Sequence, residues 1–242
     1  SDGDNCCPDC HYKEKVIYNI NSMSKYPKLY HGTSFRALEM TSEERAQMRK
    51  DCNAMIDSLW DYFGAIYSSG KITNLMAPLN YYEDQRIFHN LCNALNIISS
   101  EKNGNKQYDL GDFYVTTAEY KAVSYARSSF AFGEIGLRAY RMYEAIRELN
   151  FENWSPSDEL AKSIERVVAF AEAPERPVVY VFTDISPERL LMEDGKPIFN
   201  VSFKRDRSFR VVGDVYMDPA KAIPVKQFAD SCDKTKWPPC YR

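Results

Sequence analysis

No run of about 18 apolar residues occurs in this 242-residue chain, so the sequence contains no candidate membrane-spanning helix. The opening residues show no signal segment either. Ser1-Asp2-Gly3-Asp4-Asn5 is polar and acidic, and it fits a trimmed end as well as an original one. Strong charge of either sign is missing too: the net charge is −3, which argues against attraction to nucleic acid or a membrane through bulk charge. We find no internal repeat and no low-complexity region, which removes solenoids and disordered scaffolds from consideration. Histidine is scarce, with three in the chain. A histidine at a special backbone position therefore carries more weight than a tyrosine, of which there are 17.

What is present is ordinary for a globular domain: 44% hydrophobic and 27% charged residues, in a length that can bury a sizeable core. Cysteine is less ordinary, at seven. Cys52 and Cys92 fall within helical patterns and read as small buried apolar residues. Cys6, Cys7 and Cys10 sit near the start, and Cys232 and Cys240 near the end. They are open to three readings: disulfides between the tails, a zinc site that includes His11, or free thiols. Spacing does not choose among them.

The pattern along the chain predicts a mixed fold. Residues 1–15 read as a polar arm, 15–20 as a short strand, and Leu29-Tyr30-His31 as a strand stopping at Gly32. Thr41 with Glu44 three residues later is a capping box. It opens a helix in which Met48, Cys52, Met55, Ile56, Leu59 and Phe63 recur at spacings of three and four, and Ser68-Ser69-Gly70 closes it. A second helix is expected over 82–98. Asp112–Thr116 reads as a strand, Thr117 as the cap of a helix through Ala126, and 130–136 as a loop. Helices near 137–149 and 157–172 follow. Strands are then expected at 178–183, 199–203, 209–217 and 222–225. Together these give an α+β chain with a mostly antiparallel core and a helical block at 41–98.

Two segments carry chemistry. In Leu29-Tyr30-His31-Gly32-Thr33-Ser34 a strand ends on an imidazole beside a glycine, whose bare backbone allows a close approach. In Gly111-Asp112-Phe113-Tyr114-Val115-Thr116 a tyrosine lies on a strand, and Tyr125 follows on the next helix, eleven positions after Tyr114. Taken singly, His31 reads as a structural hydrogen-bonder near a turn and the two rings as core tyrosines. As a strand–turn–helix return, the second segment can bring two rings across one flat ligand.

Together, in this order and spacing, the segments resemble the ADP-ribosyltransferase superfamily. The similarity is to its His-Tyr-Glu branch, which includes poly(ADP-ribose) polymerases and diphtheria-type toxins, and it covers about 25 residues. It implies one domain over 1–242 with a split antiparallel core, an inserted block at 41–98 and a tail at 229–242. It further implies NAD as co-substrate, with no metal in the site. His31 would bond the adenosine ribose, the Gly32 backbone would hold the nicotinamide carboxamide, and Thr33 or Ser34 would support ribose or phosphates. Tyr114 and Tyr125 would sandwich the nicotinamide, with Thr116 among the pocket positions. The family's late glutamate is missing here. Asp214, in Gly213-Asp214-Val215-Tyr216-Met217, is the candidate substitute, although it is one methylene shorter and Gly213 before it also suits a plain bulge. Glu134 and Glu193 are the alternatives.

The residue two before Asp214 is Val212, so the paired acid of arginine-specific transferases is absent, and arginine is disfavoured as acceptor. The implied activity is mono-ADP-ribosyl transfer to a protein by a toxin or effector, secreted or delivered into a host cell; a cytoplasmic location stays open. No motif ties the chain to the effectors that modify ubiquitin. Two other readings compete: an NAD-binding module that has lost its acid, and a secreted, disulfide-stapled interaction protein.

Overall fold

The computed structural model describes residues 26–72, 82–104, 113–149, 151, 154–193, 195–196, 198 and 206–232. The chain divides into two compact units, one from 1–38, 112–127 and 176–242 and one from 39–111 and 128–175. The architecture is mixed helix and antiparallel sheet, as the sequence pattern predicts.

Among the described residues the first unit is built on six strands: β1 (Leu29–Ser34), β2 (Phe113–Thr116), β3 (Pro177–Phe182), β4 (Leu190–Leu191), β5 (Ser208–Val211) and β6 (Ile223–Pro224). They lie in the order β4-β5-β2-β1-β3-β6, with every pair antiparallel. Side chains alternate across such a sheet, so each face collects every second residue. One face buries Leu29, Val115, Tyr180, Phe182, Phe209 and Val211. The other buries Tyr30 and Val179 beneath Ala122, Val123 and Ala126 of helix α4 (Glu119–Ser128).

The second unit is helical: α2 (Ser42–Ser68), α3 (Tyr82–Lys102), α5 (Gly133–Glu148) and α6 (Asp158–Glu172); the short helix α1 (Phe35–Glu39) belongs to the first unit up to Leu38. The capping box forms as expected, Thr41 accepting from the Glu44 N–H and Glu44 accepting from the Thr41 N–H. The periodic residues Met48, Cys52, Met55, Ile56, Leu59 and Phe63 are all buried in one core with Leu91, Leu95, Met142 and Val167. Inside this unit Asp51 is 1% exposed. It accepts from Arg166 Nε and Nη2 at 2.6 and 2.7 Å and from Ser163 Oγ at 2.9 Å, tying α2 to α6. Burial by itself would raise the Asp51 pKa. The hydrogen bonds from Arg166, Ser163 and Gln47 outweigh it and hold the carboxyl below its ordinary value.

Several expectations are corrected. β1 does not stop at Gly32 but runs to Ser34, because all six residues pair with β3. The supposed loop at 130–136 is a 3-10 turn, Ser129–Ala131, followed by α5 from Gly133. Phe132 between them takes a left-handed conformation (φ 66°) that redirects the chain. The strand expected over 209–217 ends at Val211. Just before α4 the Thr116 hydroxyl accepts from the Ala118 N–H, and Thr117 Oγ1 donates to the Arg207 carbonyl. The expected strands at 15–20 and 199–203, the polar arm, and Cys6, Cys7, Cys10 and Cys240 lie outside the described residues.

Arg166→Ala leaves a buried carboxylate without its cation and should cost about 3 kcal/mol or more. Asp51→Asn, which keeps one acceptor oxygen and removes the buried charge, should cost less. Urea denaturation of both variants checks the order; equal losses would show that the ion pair does not hold the helices together.

Candidate functional site

The candidate residues gather on the first unit, and the strand directions explain why. β1 ends where β2 begins, and β5 pairs antiparallel with β2 through Phe113–Val211 and Tyr114–Arg210. The end of β1, the start of β2 and the end of β5 therefore lie at one end of the sheet. The helix after β2 runs back toward that end and carries Tyr125 in its last turns.

Gly32 is the point of closest approach. A Cβ at this position would fall onto the Ala122 carbonyl oxygen and lie 2.6 Å from the Ala126 nitrogen. Any other residue would push α4 off the sheet, so glycine here first serves helix packing. β1 and β3 share six register pairs, whereas β1 and β2 share one, Tyr30 with Thr116. Past that pair the two strands share no further register partner, which leaves room for a side chain at the Tyr114 carbonyl. That carbonyl accepts from His31 Nδ1 at 2.7 Å.

A carbonyl can only accept, so Nδ1 carries the proton. The neutral ring then presents Nε2 as an acceptor, and among the described residues Nε2 has no hydrogen-bond partner. Burial pushes the His31 pKa down to about 4, against the carbonyl bond, which favours the charged form. The imidazole also stacks on Phe113, ring centroids 4.2 Å apart. Phe113 has no place among the sequence-derived site residues; the alternation of β2 was the signal that could have found it, since it shares a face with Val115.

Tyr114 and Tyr125 lie on one side of the sheet. Tyr114 shares its face with Thr116 and Tyr30, the face that α4 covers. Tyr125 sits one helical turn after Lys121, whose Nζ donates to the Asp206 carbonyl just before β5. This directs that flank of α4 toward the β2–β5 side. Tyr125 is 45% exposed. His31 belongs by alternation to the opposite face with Phe113, so its link to Tyr114 runs through the backbone rather than through the ring. Thr116 is buried and its hydroxyl is spent on the entry to α4. Thr33 and Ser34 are buried, and Ser34 Oγ has no partner among the described residues.

Asp214 stands three residues beyond β5, exposed, directly after Gly213 in a bend where Gly213 holds φ at 80°. Among the described residues its carboxylate has no hydrogen bond or ion pair. Of the alternative acids, Glu134 is paired with Arg138 at 2.5 Å in the helical unit, and Glu193 is exposed. No protein-family model, curated protein or solved structure matches the chain.

The depressed His31 pKa sets a pH dependence. Between about 6.5 and 4 the unfolded chain takes up a proton that the folded ring refuses, so this contribution is complete above pH 6.5 and is lost as the pH falls toward 4. His31→Gln should flatten that part of the stability profile. Titration of the imidazole by NMR with a midpoint near 6.5 would show the assignment to be wrong.

Proposed function

We propose that the chain cleaves NAD at the nicotinamide–ribose bond and transfers the ADP-ribose to a protein acceptor. The observation that carries this reading is the parting of β1 from β2 beside Gly32, where a neutral His31 holds the Tyr114 carbonyl and offers Nε2 as an acceptor. An acceptor nitrogen suits a ribose hydroxyl, which donates. Past Tyr30 the first strand has no register pair with β2, so the Gly32 backbone on that edge would meet a flat carboxamide. The unpartnered Ser34 Oγ is a buried hydroxyl that a sugar or phosphate oxygen would satisfy. Tyr114 and Tyr125, on one face, suit the two sides of a pyridinium ring.

In that frame the residues position and the carboxylate stabilises. As the glycosidic bond breaks, nicotinamide leaves with the bonding electrons, and the ribose becomes cationic until an acceptor nucleophile captures it. A carboxylate free of other partners is what such a charge requires, and Asp214 is one. The missing paired acid at Val212 still argues for an acceptor other than arginine. The helical unit, which supplies none of these groups, would select the target.

Nicotinamide release from NAD tests the reading. The wild-type chain should release it, and Asp214→Asn should lower kcat by about a hundredfold with little change in KM. NAD uptake without release in the wild type would favour a binding module. No uptake by calorimetry would end the NAD reading altogether. Alanine at Lys50, Asn53 and Asp61, all exposed on α2, should weaken labelling of a protein target while leaving nicotinamide release intact; loss of both would remove target selection from this surface.

A further inference from the structure

We infer that Arg189 is a positioning residue for Asp214, an assignment that rests on the role of Asp214 proposed above. Arg189 closes the 3-10 turn Pro187–Arg189 and immediately precedes β4. Its carbonyl accepts from the Val212 N–H at 2.8 Å. Its side chain turns to the same segment: Nε donates to the Val212 carbonyl at 3.0 Å and Nη2 to the Asp214 carbonyl at 2.6 Å. Between the two carbonyls lies Gly213, where a Cβ would sit 3.7 Å from Nη2. One residue thus spans three successive residues of the bend.

The bend needs such a strut. The β2–β5 ladder ends at Val211, and the next backbone bond, from the Val212 N–H, goes to Arg189 itself. The next fixed points are Val215 and Met217, which pack against the core of the sheet, and Asp218, whose N–H donates to the Tyr180 hydroxyl at 3.3 Å. Between Val211 and Val215 the residues Val212, Gly213 and Asp214 are all exposed, so their side chains contribute little hold. A planar guanidinium can bridge two carbonyls at fixed spacing, which a lysine ammonium cannot do.

The choice of acceptor also matters. Arg189 bonds the main-chain oxygens and, among the described residues, pairs with no carboxylate. It therefore orients the backbone under Asp214 while leaving the acid itself unquenched. Displacement of a reacting group by about 1 Å can cost about a hundredfold in rate, so a loosened bend should register as lost turnover.

The test uses the full chain with Arg189→Ala, Arg189→Lys, Asp214→Asn and the double variant Arg189→Ala/Asp214→Asn. Nicotinamide release is read as kcat and KM, and amide exchange is followed over Gly213–Met217. Arg189→Ala should lower kcat by about tenfold or more with KM for NAD within about twofold, and amide exchange should rise in the bend but not in the sheet. Arg189→Lys should fall between it and the wild type, because it can satisfy one carbonyl. On the Asp214→Asn background Arg189→Ala should cost nothing further, since the strut acts through the acid. A wild-type kcat in Arg189→Ala, or an additive loss in the double variant, overturns the inference while the NAD reading stands. A wild type that takes up no NAD overturns both. If Arg189→Ala does not fold, the Arg189→Lys split between kcat and KM decides: an unchanged kcat overturns the inference.

Discussion

A single hydrogen bond, from the His31 imidazole to the Tyr114 carbonyl, organises the candidate site. It stands where a strand ladder would otherwise continue. Because a side chain satisfies that carbonyl, β1 and β2 can part after Tyr30 without leaving a buried acceptor bare. The same bond settles the tautomer of the ring, and with it which nitrogen is left to accept. Stacking on Phe113 fixes the plane of the imidazole, and burial keeps it neutral across the physiological range. One contact thus serves the sheet, the chemistry of the histidine and the access to Gly32 together.

Around that bond the fold places two further constraints. The contact of α4 with Gly32 brings helix and strand so near that no side chain fits between them. It also sets the height at which Tyr125 stands over the sheet. On the other side of β2, the chain leaves β5 and is caught at once by Arg189, so that an acid without partners is carried on a held backbone. Rigid strands and a close-packed helix supply the aromatic and imidazole groups, and a bridged bend supplies the carboxylate. In the proposed reaction this division would let one part grip and another meet a developing charge.

Much of the helical unit was legible in the residues. Thr41 and Glu44 announce a start, the three-and-four spacing from Met48 to Phe63 announces a buried face, and both are local in sequence. Errors arise where the decisive partner is remote. A glycine after a histidine resembles a stop, yet β3, far along the chain, pairs with β1 through Ser34. The run from Phe209 to Met217 has strand composition throughout, but it finds pairing partners only as far as Val211. At Phe132 and Gly133 a left-handed turn feeds a helix where the glycines suggest a loop.

The sequence by itself determined the class of elements, the helix boundaries set by capping, and the pair of segments in which His31, Gly32, Tyr114 and Tyr125 stand, because these depend on spacing within a turn or a strand. The tertiary structure alone decided which nitrogen of His31 accepts, that Phe113 lies against it, and that Gly32 is filled by a helix backbone. It alone brought Arg189 under Asp214, 25 positions apart. Those outcomes depend on which distant strands pair, and on where pairing ends. They follow from the closing of backbone hydrogen bonds across the whole sheet rather than from any local pattern.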